Sequence, residues 1–344
     1  MSSPLDVFRE LTAVPTAPYF EEAVTRRALA WLRRNRLSFT RHSGGVIARY
    51  VGAPGRPALA LAAHLDHPAF HIQGERAVMK GRLDDKKLDG YAVEGFAALP
   101  KDNVPLARGV LRKSGDGFVV RWASKPRRKP AFATLALPAC KERGGWVLSR
   151  SIDDLFGCAL SLETLRRAAR AKLKANVTVL LHRAEEEGFI GALDLIAQGL
   201  VSKDDTVLSI ETSRELPGAR PGGGPAIRLG DRACLFDGNA TALLDEAAKG
   251  LKHQRVRLTG GTCEATAYLA FGYEAGGLAI PLVNYHNGLM DAAIASEMVR
   301  LSDAEGAVEL LVRAAKLFPS WTLRGVLRRR LEKRHKDAVR HLRR

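Results

Sequence analysis

His182-Arg183-Ala184-Glu185-Glu186-Glu187-Gly188-Phe189-Ile190-Gly191-Ala192 follows Val177-Thr178-Val179-Leu180-Leu181. The preceding run is rich in β-branched and aliphatic residues and reads as a buried strand. Three carboxylates therefore sit at the C-terminal end of a strand, where ligands bind in open α/β sheets. Like charges packed this closely repel. A solvated acidic turn is one reading. The other is a cation that takes one carboxylate as ligand and leaves its neighbour as a base. Gly188 and Gly191 point to a tight turn with close backbone approach.

The surrounding sequence reads as more α/β structure. Ala58–Ala63 is a second buried strand that runs into His64-Leu65-Asp66-His67. Val46–Tyr50 is a strand, and an amphipathic helix spans residues 19–34. Ser151-Ile152-Asp153-Asp154 precedes a helix with Leu155, Ala159, Leu162 and Leu165 on one stripe. Thr206–Ile210 is a strand ending in Glu211, and Gly277–Leu282 is a strand ending near Asn284-Tyr285-His286. Ser302-Asp303-Ala304-Glu305 has the form of a capping box that opens a long helix. Residues 68–150 differ, with short strand-like pieces between Gly- and Asp-containing turns. The expected fold is therefore α/β: a mixed, mostly parallel sheet sandwiched by helices, with a small all-β inserted domain. The boundaries are 1–67 and 151–320 for the α/β part, 68–150 for the insertion and 321–344 for a basic tail.

Composition sets limits. The chain has 344 residues, 46% hydrophobic and 26% charged, as in ordinary globular proteins. No apolar run reaches the ~18 residues a membrane span needs. Cys140, Cys158, Cys234 and Cys263 are scattered without a Cys-x-x-Cys pair, which reads as reduced thiols in a cytoplasmic protein. The net charge is +17, of which residues 321–344 carry +8. Leu323, Leu327 and Leu331, spaced by four, predict a helix laying a narrow apolar stripe on the body. Its basic remainder suits at most weak, sequence-independent contact with nucleic acid.

His64, Asp66, Asp153, Asp154, Glu185, Glu186, Glu211 and His286 all fall at element ends of one α/β layer. Each has an ordinary reading alone: a satisfied buried histidine, a helix cap, a loop residue. Together they form a set. Imidazoles with carboxylates suit zinc or a similar ion, and a carboxylate shared between two ions ~3.5–4 Å apart makes a two-metal site. A spare carboxylate beside the ions would take a proton from water.

Five separated motifs keep a familiar order: His-x-Asp, Asp-Asp-x-x-Gly at Asp153–Gly157, Glu-Glu-x-Gly-x-x-Gly-Ala at Glu185–Ala192, the strand ending in Glu211, and Gly-Gly-Thr followed by Ile-Pro-x-x-x-Tyr-His. This resembles the co-catalytic two-metal exopeptidases, in particular the tetrahedral and glutamyl aminopeptidase branch. The insertion between His64 and Asp153 agrees with that branch. The resemblance implies a metal-dependent aminopeptidase acting on peptides, with two divalent ions, zinc first and cobalt or manganese as alternatives. It implies His64 and Glu211 on one ion, Glu186 and His286 on the other, and Asp153 bridging them, with a cis link to Asp154. Glu185 becomes the general base, and Asp66 orients the His64 imidazole. It further implies a homo-oligomer.

The surroundings depart from that pattern. Glu211 stands where Asp is usual, His67 where an acid follows His-x-Asp, Leu155 where Arg is usual, Cys263 for the Asp after Gly-Gly-Thr, and Asn284 for an Arg. A related amidohydrolase or carboxypeptidase, or a weakened relative that acts by binding, are the competing readings.

Overall fold

The computed structural model describes residues 3–288 and 293–339. Its centre is an eight-stranded sheet. The strands are β1 (Ser38–His42), β2 (Gly45–Val51), β3 (Ala58–His64), β4 (Asn176–His182), β5 (Thr206–Arg214), β6 (Ala226–Arg228), β7 (Gln254–Val256) and β8 (Glu274–Leu282). They lie in the order β1-β2-β4-β3-β5-β8-β6-β7. β4, β3, β5 and β8 run parallel, while β1, β2 and β4 pair antiparallel on one side and β6 pairs antiparallel with β8 on the other.

β3 and β4 are buried at every position, as parallel strands covered on both faces are. Alternate residues serve two cores. Leu59, Leu61, Val177 and Val179 face one, and Ala60, Ala62 and Leu180 face the other. Helices Glu22–Arg34, Ile152–Arg170 and Leu301–Leu317 pack into the first core, and Ile190–Ala197 and Glu264–Ala270 into the second. The fold is thus a large mixed sheet between helices.

Residues 69–135 hold a closed barrel of six strands. Phe70, Val93, Leu111, Phe118 and Val120 fill its own core. One of its hairpins turns at Gly115-Asp116, between strands Ala107–Ser114 and Gly117–Trp122. The strand Ala92–Phe96, unread in the sequence, pairs with two others of the barrel. Residues 141–149 form a hairpin outside the barrel, where Trp146–Ser149 pairs with Glu297–Arg300.

Several expectations need correction. The helix from Ile152 is enclosed on all sides through Arg166 rather than along one stripe, and its buried Glu163 pairs with Arg166 and Arg167. The helix expected from residue 19 starts at Glu22. Glu211 lies inside β5, which runs on to Arg214. Ser302 caps nothing: the helix starts at Leu301, and Asp303 instead accepts from the backbone N–H groups of Gly222 (2.6 Å) and Gly224 (3.0 Å). The basic helix forms at Leu323–Ala338, but Leu327 and Leu331 are 46% and 61% exposed and lay no stripe on the body. It is tethered at its start, where Leu323 N–H donates to Asn239 Oδ1 (2.7 Å) and Trp321 Nε1 donates to Asn239 O (3.1 Å). The last five tail residues, 340–344, lie outside the described residues.

Candidate metal centre

Register brings the site together. In the parallel β3–β4 pair His64 stands opposite His182, and Leu65 N–H donates to His182 O at 2.9 Å. The turns Leu65–His67 and Arg183–Glu187 therefore leave the sheet at one edge, the carboxyl edge. Glu211 comes from the neighbouring β5 and His286 from the segment after β8. Gly191 permits its backbone to lie against Arg183 and against Gly44 in the turn between β1 and β2, since a Cβ there would collide with the backbone of both. Asp153 and Asp154 head the buried helix with non-helical torsions, and the peptide between them is cis.

Asp153 lies between two imidazoles. Its Oδ1 is 3.4 Å from His64 Nε2, and its Oδ2 is 3.4 Å from His286 Nε2. His286 Nε2 is also 3.1 Å from Glu186 Oε1, and His64 Nε2 is 3.7 Å from Glu185 Oε2. Potential ligand atoms converge within 4.8 Å of one another in His64/Asp153/Glu211 and in Asp153/Glu186/His286; His64/Glu185/Glu186 is a third such group.

These approaches are close without hydrogen-bond geometry. Asp153 Oδ1, Asp154 Oδ2, Glu186 Oε1 and His286 Nε2 are buried with no hydrogen-bond partner among the described residues. Burying such atoms unpaired costs roughly 1–3 kcal/mol each, more when charged. A cation would complete the Asp153, Glu186 and His286 atoms, and imidazole plus carboxylate is the donor set that zinc-like ions take.

The outer atoms of the two histidines are already committed. His286 Nδ1 is 2.7 Å from the Arg82 carbonyl oxygen, so Nδ1–H donates and Nε2 turns inward. His64 Nδ1 lies 3.2 Å from the Asp66 carbonyl and 3.5 Å from its Oδ1. The Asp66 carboxylate mainly serves the acidic turn: it accepts from Glu185 N–H (3.0 Å) and Glu186 N–H (3.1 Å). Glu187 faces away, holding Lys80 Nζ (2.7 Å) and Gly81 N–H (2.9 Å) at the barrel.

The electrostatics are those of an anionic centre. Burial opposes charge on Asp153, yet the facing His286 and His64 imidazoles hold its carboxyl well below the usual range. Burial, reinforced by Glu264 and Asp153, pushes Glu211 up to about 8. Burial also pushes Glu185 well above its ordinary range, with Glu211 and Glu186 adding to it against His64. Burial pulls the His64 pKa down, but Glu185, Asp153 and Asp66 raise it well above normal. The cluster thus draws positive charge inward, and a bound cation would supply it.

Glu297 was missed in the sequence. Its Oε2 accepts from Ile152 N–H (2.7 Å) and Asp153 N–H (3.0 Å), and its Oε1 from His286 N–H (2.9 Å). One buried carboxylate thus fixes the backbone of two candidate ligands. No motif marks it; the pairing of Glu297–Arg300 with Trp146–Ser149 and the bridge from Met298 to Val283 bring it there. Of the departing residues, His67 bonds the Asp153 carbonyl through Nδ1 and Asn287 through Nε2. Cys263 is fully buried, and burial pushes its thiol up to about 12. Asn284 donates to Ser296 O at 2.8 Å. A cavity of about 210 Å³ opens beside Glu211, lined in part by Arg82, Arg214, Arg228, Gly261 and Tyr285. Arg228 is buried, and its Nε has no hydrogen-bond partner among the described residues.

Among the described residues no helix is long and apolar enough to cross a membrane. A profile of the M42 glutamyl aminopeptidase family matches residues 133–310. A curated protein of Acetivibrio thermocellus described as "Putative aminopeptidase" is 27% identical over 183 residues, which make up 50% of this chain and 52% of the relative. The match spans about half the length of that relative. The fold is similar to that of the Pyrococcus horikoshii TET1 peptidase, described as assembling into a tetrahedron or a large octahedral shell (TM-score 0.74, 20% identity, 91% of this chain and 99% of the other). It is also similar to an aminopeptidase of the archaeon Desulfurococcus kamchatkensis (TM-score 0.75, 21% identity, 90% and 93%).

Proposed function

Because this chain belongs to the M42 glutamyl aminopeptidase family, we propose that it is a metal-dependent aminopeptidase releasing N-terminal residues from peptides. The observation that carries this reading is the pair of ligand groups that share Asp153. His64, Asp153 and Glu211 would hold one divalent ion, and Asp153, Glu186 and His286 the other. Zinc suits these donors, with cobalt or manganese as alternatives. Such a pair of ions polarises a scissile carbonyl and makes water a nucleophile near neutral pH.

The chain's own residues do the rest. Glu185 is left over when the two groups sharing Asp153 are filled; its Oε2 lies 3.7 Å from His64 Nε2, and 11% of its side chain stays exposed. It takes a proton from the attacking water at a carboxylate oxygen and returns it to the leaving amine. Asp66 holds Glu185 and Glu186 in place through their N–H groups. Arg82, Arg214 and Arg228 beside Glu211 favour an acidic side chain at the substrate N-terminus.

The closed barrel supports reading residues 68–150 as an insertion between the catalytic parts 1–67 and 151–320, with its last hairpin shared with the body. The assembly described for the Pyrococcus protein supports a homo-oligomer, and Leu99 and Val104 offer exposed apolar surface at the barrel. The four free cysteines fit a reducing, cytoplasmic setting.

Metal analysis paired with a panel of aminoacyl-arylamides tests the reading. The expected result is two ions per chain and turnover that is fastest on glutamyl and aspartyl substrates, lost on chelation and restored by zinc. Metal-loaded protein that cleaves only N-acylated or C-terminal substrates would point to the amidohydrolase reading instead.

A further inference from the structure

Behind Glu211 lies a buried polar chain that the proposed mechanism does not use. Glu211 Oε1 is 3.3 Å from Ser209 Oγ, and the same hydroxyl is 3.3 Å from Glu264 Oε2. Glu264 Oε1 is 2.8 Å from His182 Nδ1, and His182 Nε2 is 2.9 Å from the Tyr268 hydroxyl. Ser209, Glu264, His182 and Tyr268 are all fully buried.

One arrangement of protons satisfies this chain. The Tyr268 O–H donates to Nε2, and Nδ1–H donates to Glu264. With a cation on Glu211 and both carboxylates ionised, the single hydrogen of Ser209 is shared between Glu211 and Glu264. Two buried carboxylates against one donor repel each other. A cation on the far side of Glu211 offsets that repulsion, because it attracts both carboxylates, Glu264 through the intervening ligand and hydroxyl. His182 ends β4, directly before the turn that carries Glu185 and Glu186. The chain therefore ties the strand of one ligand to the turn of another.

We propose that Glu264 is a positioning residue for the ion held by His64, Asp153 and Glu211: it aims Glu211 through Ser209 and adds negative charge behind that ligand. The proposal rests on the two-metal reading above. Outer partners of this kind typically contribute about 10–100-fold to metal affinity.

Glu264→Gln keeps the shape and the acceptor for His182 Nδ1–H but removes the charge. Calorimetric titration of the stripped full-length protein with Zn²⁺ should show one of two sites weakened about 10–100-fold and the other unchanged. Ser209→Ala leaves the Glu264–His182 pair intact and should weaken the same site. Tyr268→Phe removes a hydroxyl at the far end of the chain, so it should lower thermal stability and leave both zinc affinities as in wild type. The rise in Tm on adding Zn²⁺ should shrink in the first two variants only. Wild-type affinity at both sites in Glu264→Gln would overturn the proposal, as would an equal loss of zinc affinity in Tyr268→Phe. If Glu264→Gln does not fold, Ser209→Ala decides by the same titration. A wild-type protein that takes up no zinc would instead refute the two-metal reading itself.

Discussion

Asp153→Asn tests the proposal that one carboxylate is shared between two ions. Each Asp153 oxygen faces one imidazole at 3.4 Å. The amide keeps one oxygen and replaces the other with an NH₂ group, which donates and cannot ligate a cation. Bound metal should fall from two ions per chain to one or none. The energetic size follows from mass action: an ion at a hundred times its Kd stabilises the folded chain by about 2.7 kcal/mol. An unfolding entropy of ~2.1 cal/mol/K per residue gives a chain of 344 residues about 0.7 kcal/mol/K. Losing one such ion should therefore remove about 4 °C of the metal-induced rise in Tm. The metal-free protein is weakened as well. Burial opposes charge on Asp153, but His286 and His64 hold its pKa low. A lowered folded-state pKa adds stability above the unfolded value of about 3.9, so that stability is present at pH 7 and lost in acid. The assay is thus a difference, Tm with zinc minus Tm after stripping, measured on both proteins beside metal counts by atomic emission. Two ions and the full rise in Asp153→Asn would show that Asp153 does not bridge.

Three further outcomes are expected. Glu185→Gln should keep both ions and lower kcat about 10²–10⁴-fold, as loss of a general base does; if it loses metal while Glu186→Gln keeps it, the two roles are reversed. Glu211, pushed up to about 8 in the metal-free site, carries a proton at pH 7 that ligation must expel. Zinc affinity should therefore rise with pH up to about 8, and calorimetry in buffers of different ionisation enthalpy should count released protons; a release of none at pH 7 contradicts this. Deleting residues 328–344 should leave kcat nearly unchanged while abolishing weak nucleic-acid binding seen only at low salt, and a large fall in kcat of the folded truncation would show that the tail serves the active site.

The sequence makes the candidate centre legible because strands and candidate ligands are contiguous there. Val177–Leu181 announces a buried strand, and the acidic residues follow it directly. Glu297 and Glu264 were not legible. Glu297 follows His286 by 11 positions and Glu264 comes directly after Gly260-Gly261-Thr262-Cys263, but neither stands in a pattern that marks its partner, and only the folded chain shows what each carboxylate holds. The capping box failed for a different reason: the Asp303 carboxylate serves the Gly222 and Gly224 N–H groups, so the local pattern at Ser302 was overridden by a tertiary contact. The tail leucines have helical spacing but too little partner surface, since the helix is tethered at its start and its side chains are exposed or only half-buried. Ser151–Asp154 read correctly as the head of a helix, yet no periodicity could show that the helix is enclosed all round.

The Arg82 carbonyl that receives His286 Nδ1–H belongs to the segment just after the barrel strand Arg76–Lys80. Lys80 and Gly81 hold Glu187 from the same place. A chimaera in which a short linker replaced residues 69–135 would keep every candidate metal-binding side chain. It would nevertheless free the outer nitrogen of one histidine and unpin the third glutamate of the acidic turn. The barrel and the centre are therefore not interchangeable parts, and a graft of one without the other should yield a folded sheet with a misaligned histidine. Recombination among relatives would have to move the two as a unit.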